Sequence, residues 1–388
     1  MDTATTLDHV CRHTWRVTST HRASRIPDYS RGTMNPRLLA VLGAAGLLCA
    51  CSDRQSANAP TAPSFNAAAQ PARDYVPRDL GSLAGTFSQA LDINNRGQIV
   101  GETDVTSGRH GFIWTEARGM VALPTLGGTY STPAELNDLG VIVGWAGDAA
   151  TNAVHAVRWT NGRIEQLLPP DVASLGVSIN DAGDIIGCYQ PNPDRFEFRP
   201  FLLPRQGGMR DLGSLGNGAE GFGCGESINN RGDVAGRSPE ADGRQGSFIW
   251  TAQGGMRDIG NMAGGQPFAY AINDRDEVVG WEDNAAPNGS TRAFIWTTER
   301  GFTDLGTLSF AQNARAFSIN SRGEVVGESW NGAEDHLFIW TRDVGMRDLG
   351  VAPGQTRSGA IGINERGDIV GWADVPGSEK HAVLWQRR

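Results

Sequence analysis

Two glutamates, Glu102 and Glu328, occupy equivalent positions in a motif that recurs along this chain, and they are candidates for acid–base chemistry. Two convergent carboxyls can act as general acid and general base on a glycosidic bond. They lie in the first and sixth copies of the motif, so the sequence does not give their separation. Glu226 is a further unusual acid, since other copies have an apolar residue or alanine there. We find no Ser/His/Asp set, phosphate loop or dinucleotide fingerprint, and we assign no catalytic residue.

The position of these two glutamates, eight residues after the asparagine of each motif, carries aromatic and charged side chains in most copies. Such a mixture around a rim is typical of a surface that binds sugars or peptides. The alternative is that the tryptophans pack between neighbouring repeats. The candidate rim residues are Glu102, Trp145, Arg237, Trp281, Glu328 and Trp372.

The motif itself occurs seven times. It consists of an apolar residue, Asn, two variable residues, a position that is usually Gly, one further variable residue, two apolar residues and a final Gly. The key asparagines are Asn94, Asn137, Asn180, Asn229, Asn273, Asn320 and Asn364. Their spacings are 43, 43, 49, 44, 47 and 44 residues. A period of this length built from short apolar runs is typical of β-propeller blades.

Each repeat contains four short β segments, which predicts an all-β fold with four antiparallel strands per blade. The first segment leads into the asparagine and has small residues four and two positions before it, an alternation that suits one face of a strand. The last repeat lacks a fourth segment, whereas a spare one, YVPRDLG at 75–81, precedes the first repeat. We therefore predict a seven-bladed β-propeller, closed when this N-terminal strand (about 75–81) completes the last blade.

The turn after each asparagine favours Asn and Gly because both residues tolerate left-handed backbone angles. Asp276 replaces the glycine in the fifth copy, which predicts mild strain. The connections between the second and third segments vary in length and sequence, so we expect any binding site on the face that carries them. We call it the loop face.

Four of the aromatic third segments follow a His-x-apolar tripeptide, beginning at His110, His155, His336 and His381. Together with the INxxGxVVG and Asp-Leu-Gly motifs, this resembles the HAF-repeat family of extracellular bacterial proteins over roughly residues 79–388. The resemblance implies export and a repeat fold, and no established chemistry. Equivalent histidines of neighbouring blades should lie on the order of 10 Å apart, too far to share a metal ion. We therefore expect no metal site and no cofactor.

The N-terminal region is consistent with an exported lipoprotein. Residues 34–50 have the layout of a lipoprotein signal peptide, and Cys51 is the expected lipidation site. Its apolar run is shorter than the ~20 residues of a transmembrane helix, although an ordinary cleaved signal remains an alternative. Residues 51–74 suit a flexible linker, and we expect the propeller at 75–388. Residues 1–33 fit none of these roles, so we expect translation to start at Met34.

The net charge limits the classes of partner, and the cysteines predict a disulfide. The formal net charge is −9 and there is no basic patch, which argues against nucleic acid. The membrane, through the lipid anchor, is one expected partner. By resemblance to Gram-negative lipoproteins, Ser52 after the lipidated cysteine implies the outer membrane. We expect a monomer. Cys188 and Cys224 fall near the same face of adjacent blades, and we predict that they form a disulfide outside the cytoplasm.

Two functions follow from these observations. The main prediction is a non-catalytic, lipid-anchored envelope propeller that binds a protein, peptide or glycan through its variable loop face. The alternative is a periplasmic or surface enzyme, of the glycan hydrolase or lyase type, with its substrate in the central funnel.

Overall fold

The structure, a computed structural model, describes residues 74–285, 289–351, 356–375 and 379–388. These residues form 29 β-strands, β1 to β29 in chain order, and within these ranges there is no helix. Consistently, no helix in the described part of the chain is long and apolar enough to cross a membrane. The segments at 1–33 and 34–50, Cys51 and most of the linker lie outside the described residues.

Seven antiparallel units follow one another along the chain. In the first six, neighbouring strands of the sheet are consecutive in sequence, whereas in the seventh the fourth strand comes from the N-terminal side of the chain. The first strands of the units are β2 (Ser88–Ile93), β6 (Gly127–Leu136), β10 (Ser174–Ile179), β15 (Cys224–Ile228), β19 (Gln266–Ile272), β23 (Asn313–Ile319) and β27 (Ser358–Ile363). The second strands are β3 (Ile99–Val105), β7 (Ile142–Asp148), β11 (Ile185–Tyr189), β16 (Val234–Pro239), β20 (Val278–Ala285), β24 (Val325–Trp330) and β28 (Ile369–Ala373).

The third strands are β4 (Gly108–Thr115), β8 (Val154–Thr160), β12 (Glu197–Leu203), β17 (Gln245–Thr251), β21 (Ser290–Thr297), β25 (Asp335–Thr341) and β29 (His381–Arg387). The fourth strands are β5 (Gly119–Ala122), β9 (Arg163–Gln166), β13 (Arg210–Asp211), β18 (Gly255–Asp258), β22 (Gly301–Gly306) and β26 (Gly345–Gly350). In unit 7 the fourth position is held by β1 (Tyr75–Asp79), which pairs antiparallel with β29. A short extra strand, β14 (Gly221–Phe222), pairs parallel with β12.

The core lies between successive units, because each second and third strand buries apolar side chains on both of its faces. Val326 of unit 6, for example, packs in one cluster with Ile369 of unit 7. The first strands contact their neighbours in sequence order, and β27 contacts β2. One parallel backbone pairing between β4 and β6, at Arg109 and Tyr130, joins the first two units into one eight-stranded sheet.

The turn between the first and second strands explains why each motif has asparagine and not aspartate. Asn94 Oδ1 accepts hydrogen bonds from the N–H groups of Arg96 and Gln98, both at 3.0 Å. Its Nδ2 donates to the backbone carbonyl of Asn137 in the next unit at 3.0 Å. All seven asparagines make this second bond, and Asn364 donates to Asn94. An aspartate could accept the first bonds but could not donate the last.

The prediction that the two small residues of each first strand lie on one face is wrong, because every first strand contains a β-bulge between them. In unit 1 Ala90 pairs with Gly101 and Asp92 pairs with Val100, so Leu91 is the extra residue. Neighbouring residues of β3 point to opposite faces, so Ala90 and Asp92 also lie on opposite faces. All seven first strands have the shift at this position. Small residues at both positions look the same in a flat strand and a bulged one, so the sequence did not reveal the bulge.

The structure also bears on two local predictions, the disulfide and the backbone conformation of Asp276. Cys188 of β11 and Cys224 of β15 form a disulfide between units 3 and 4, with their Cα atoms 4.7 Å apart. Asp276 has a φ of 58°, in the left-handed region that glycine occupies in the other six turns.

Candidate functional site

Glu102 lies near the loop-face end of β3, directly opposite Gln89 of β2. The two residues are only 4% and 1% exposed. The hydroxyl of Thr132, in the next unit, donates a hydrogen bond to Glu102 Oε1 at 2.6 Å. Gln89 Nε2 is buried and makes no hydrogen bond to a described residue. Since a buried amide donor is costly to leave unpaired, this corner of the site has hydrogen-bonding capacity for a ligand.

Glu328 occupies the same place in unit 6, opposite Arg315 of β23. Arg315 Nη1 and Glu328 Oε1 are 3.9 Å apart, which makes a loose ion pair. The guanidinium of Arg315 lies over the rings of Trp281 and Trp330, at 5.3 and 5.1 Å from their centroids. Its buried Nε makes no hydrogen bond to a described residue. Units 1 and 6 therefore repeat one arrangement, a buried donor on the first strand facing an acid on the second.

Lys380 lies between units 7 and 1, just before β29. Its backbone bridges Phe87, and its carbonyl accepts a hydrogen bond from the Ser88 N–H at 2.9 Å. Its Nζ is 4.8 Å from the ring centroid of Trp372 and 5.5 Å from that of Phe87. No described residue forms an ion pair or hydrogen bond with this amine. Two aromatic faces thus hold the amine where carboxylates would ordinarily pair with it.

Electrostatics link Glu102, Glu328 and Lys380. Burial lowers the pKa of Lys380, and Glu328 and Glu102 are among the charges that oppose this effect. Burial likewise raises the pKa of both glutamates, and Lys380 is among the cations that oppose the rise. The three groups are therefore electrostatically coupled. We call Glu102, Glu328, Lys380 and Trp372 the loop-face cluster.

An aromatic wall adjoins the loop-face cluster in unit 5. Trp281 is 6% exposed and stacks on Phe268, with ring centroids 5.2 Å apart. Tyr270 and Phe317 contact Trp281 at 5.5 and 5.6 Å. Arg315 connects this wall to Glu328. Trp281 therefore packs within the structure, as the alternative for the rim tryptophans expected.

The other two rim residues, Trp145 and Arg237, belong to units 2 and 4. Arg237 forms an ion pair with Glu226 at 2.7 Å and lies over the ring of Phe222 at 4.8 Å. Trp145 pairs across the sheet with Thr132, whose hydroxyl contacts Glu102. Lys380 thus links Glu102, Glu328 and Trp372, through its charge and through its contact with the Trp372 ring. Arg237 reaches the aromatic wall, since its guanidinium lies 5.9 Å from the ring centroid of Phe268.

The repeated histidines have local partners. His336 Nδ1 lies 2.9 Å from Asp348, and His381 Nδ1 lies 3.0 Å from Asp79, so each pairs with the aspartate of an Asp-Leu-Gly segment. That aspartate also caps its own turn, as when Asp348 accepts a hydrogen bond from the Gly350 N–H at 2.6 Å. Within the described ranges no group of three or more His, Cys, Asp and Glu side chains could hold a metal ion.

A second acid pair lies near the asparagine turns, away from the loop-face cluster. Burial raises the pKa of Asp92 to about 6, although the Leu136 N–H donates to its Oδ2 at 2.9 Å. Burial and the nearby Asp92 raise the pKa of Glu135 well above its usual range. Both side chains bridge successive first strands, so we interpret this pair as part of the packing between units.

The sequence analysis missed Lys380, Gln89 and Arg315. Lys380 had a clear signal, since it is the only lysine in a chain with 34 lysines and arginines. Gln89 and Arg315 lie five residues before their motif asparagines, a position that alignment of the repeats brings into register.

No protein-family profile and no curated protein matches the sequence. Solved structures do match, and they are propellers. Virginiamycin B lyase from Staphylococcus aureus is 14% identical with a TM-score of 0.50, over 80% of this chain and 99% of the lyase. The β-propeller domain of the Trilobed protease from Pyrococcus furiosus, which has an open velcro topology, is 10% identical with a TM-score of 0.53, over 78% and 95%. Puromycin hydrolase is 13% identical with a TM-score of 0.56, over 78% and 52%.

These likenesses establish that the chain has a β-propeller fold. They also correct our main functional prediction: a non-catalytic binding propeller is wrong on this comparison, because the similar folds belong to a lyase, a protease and a hydrolase. The expectation that the chain is not an enzyme falls with it. At such low identities any particular activity has to be argued from the site's own residues.

Proposed function

We propose that this protein is an enzyme of the glycan hydrolase or lyase type whose substrate enters the central funnel from the loop face. The observation that carries the proposal is the electrostatic coupling of two glutamates with raised pKa values, the buried Glu102 and the partly buried Glu328, to one lysine. A carboxyl with a raised pKa can hold its proton near neutral pH and donate it to a leaving group.

The chemistry assigned to each residue follows from its environment. One glutamate, protonated, donates to the departing oxygen while the other, ionised, accepts a proton from water or from a sugar carbon. Gln89 and Arg315 offer unpaired buried donors beside the two acids, which suit the hydroxyl or carboxylate oxygens of a sugar. Trp372 is partly exposed and offers a ring face of the kind on which sugars stack.

The proposed funnel belongs to a closed seven-bladed propeller. Two observations support this architecture: β1 pairs with β29, and the last motif asparagine donates to the first. Closure would hold units 6, 7 and 1 in a fixed arrangement, which two acids from different blades need in order to act on one substrate.

We further propose that the protein is exported and anchored to the outer membrane through a lipid on Cys51, and that it is a HAF-repeat protein. Both proposals rest on sequence motifs. Cys51 itself lies outside the described residues. An enzyme held in the cell envelope would meet glycans as its natural substrates.

The test is a screen of the purified protein against peptidoglycan sacculi, neutral glucans and uronate-containing polysaccharides. New reducing ends without ultraviolet absorbance indicate hydrolysis, whereas absorbance from an unsaturated sugar indicates elimination. Cleavage of at least one polymer is expected. Absence of cleavage in all three classes would contradict the proposal.

A further inference from the structure

The guanidinium of Arg315 has hydrogen-bonding capacity that the protein does not use. The side chain is only 12% exposed, yet it donates no hydrogen bond to a described residue. It is held instead between the rings of Trp281 and Trp330, and the buried Nε1 of Trp281 also makes no hydrogen bond within the described ranges. By contrast, Arg237 of unit 4 donates to Glu226 at 2.7 Å. Since buried donors are costly to leave unpaired, a ligand that accepts their hydrogen bonds is expected here.

Two carboxyl groups face the guanidinium without bonding to it. Arg315 Nη1 lies 3.9 Å from Glu328 Oε1, and Nη2 lies 3.8 Å from Asp283 Oδ1. Both distances are longer than a hydrogen bond. The Glu328 carboxyl accepts no hydrogen bond from a described residue, and Asp283 accepts one from the Thr291 hydroxyl at 2.8 Å. Donors on one side chain and acceptors on two others are therefore available side by side.

This mixture of groups distinguishes between two kinds of sugar ligand. A hydroxyl can accept a hydrogen bond from a guanidinium and donate one to a carboxylate, whereas a ligand carboxylate can only accept. Arg315 is a single cation that faces the two acids Asp283 and Glu328. The charge of Lys380 is in turn opposed by that of Glu102. A ligand carboxylate would thus meet at least as much like charge as opposite charge, whereas an uncharged sugar would not.

From this geometry we infer that Arg315, Asp283 and Glu328 bind two neighbouring hydroxyls of a neutral sugar. One hydroxyl accepts a hydrogen bond from Nη1 and donates to Glu328, and its neighbour does the same between Nη2 and Asp283. The rings of Trp281 and Trp330 hold the guanidinium in place for both bonds. The inference rests on the proposed function and adds a substrate class, a neutral glycan in preference to one built from uronates.

The experiment measures binding by calorimetry with the purified full chain. The ligands are the tetrasaccharides of cellulose and laminarin, and tetragalacturonate both in its acid form and after reduction of its carboxyls to alcohols. Arg315→Met removes the donors and keeps an unbranched side chain between the two rings. Arg257→Met is the matched control, because Arg257 is exposed and lies over one ring, that of Trp296, at 5.6 Å.

We expect at least one neutral tetrasaccharide to bind about tenfold or more tightly than tetragalacturonate, and the reduced form to bind more tightly than the acid form. Arg315→Met should weaken this neutral binding by about tenfold or more, since hydrogen bonds from a charged donor are lost. Arg257→Met should leave it unchanged. Asp283→Asn keeps the shape of the side chain and removes a repelling charge, so it should weaken neutral binding and improve binding of tetragalacturonate.

Equal or tighter binding of the acid form, no binding of any neutral form, or unchanged affinity in Arg315→Met would overturn the inference. The comparison of the acid and reduced forms needs no variant, and binding does not depend on cleavage. A cleaving enzyme whose affinity is unchanged in Arg315→Met would refute only this inference. Neutral binding that depends on Arg315, in a protein that cleaves no polymer, would refute only the proposed function.

Discussion

The side-chain amide of Asn364 donates a hydrogen bond to the backbone carbonyl of Asn94 at 3.1 Å, although 270 residues separate the two in sequence. The same bond joins each earlier motif asparagine to the next one along the chain. One residue type therefore shapes the turn within its own unit through Oδ1 and connects that turn to the next unit through Nδ2.

Replacement of Asn364 by aspartate should destabilise the protein by about 2 kcal/mol, because it removes a buried hydrogen bond between units and leaves the Asn94 carbonyl with only the bond from the Gly97 N–H. The new carboxylate would also face Asp368, whose Oδ2 lies 3.3 Å from the present amide nitrogen. The free energy of unfolding, measured in urea, checks the prediction. Asn161→Asp, in an exposed turn with a φ of 51°, is the matched control. Equal stability of the two variants would contradict the role given to the amide.

The disulfide between Cys188 and Cys224 predicts a specific pair of linked peptides. Trypsin, used without reductant, should release residues 164–195 joined to residues 211–231. Replacing both cysteines by alanine should lower stability by about 3–4 kcal/mol, since the bond closes a loop with a sequence separation of 36. Recovery of the two peptides unlinked from freshly isolated, unreduced protein would contradict the pairing.

The acid pair of Asp92 and Glu135 predicts that stability changes with pH. Their folded-state pKa values are raised, so the folded protein holds these protons more tightly than the unfolded chain. The contribution of Asp92 is present at acidic pH and is lost as the pH rises through about 6.

Asp92→Asn should therefore be more stable than the natural protein at pH 8 and similar to it at pH 4. We expect a gain of about 1–2 kcal/mol, below the roughly 3 kcal/mol of a two-unit shift, because the side chain is partly exposed. Unfolding in urea at both pH values measures the difference. A gain of the same size at both pH values would rule out titration as its cause.

The two rim tryptophans should respond differently to truncation. Trp281 is almost fully buried and stacks on Phe268, so Trp281→Ala should cost about 3–5 kcal/mol of stability. Trp372 is partly exposed, and Trp372→Ala should cost less than half as much. Thermal unfolding of both variants provides the comparison. A larger loss for Trp372 than for Trp281 would show that the packing of the two has been misjudged.

The repeat made much of the fold predictable. Spacings of 43 to 49 residues and the alternation of short apolar segments with Gly-rich turns predicted an all-β propeller, and that fold is confirmed. The bulge at Leu91 could not be predicted, because register depends on pairing with β3 and the small residues at positions 90 and 92 fit either geometry.

The site was only partly predictable for a similar reason. Alignment of the repeats identified Glu102 and Glu328 as equivalent, but their electrostatic coupling to Lys380 involves a residue that lies outside the motif. Because Lys380 is the one lysine of the chain, alignment of the repeats gives it no equivalent residue. Its position can be judged only when units 6, 7 and 1 are seen together.

The most direct test of an active site at the loop-face cluster is kcat/KM on the polysaccharide that the screen identifies, measured for Glu102→Gln, Glu328→Gln and Glu379→Gln. The first two remove an acid–base group while keeping the shape of the side chain. Glu379→Gln makes the same change in an exposed residue next to Lys380. We predict a loss of about 100-fold or more for each of the first two variants and no change for the third. Full activity in both Glu102→Gln and Glu328→Gln, with the fold intact, would contradict the account.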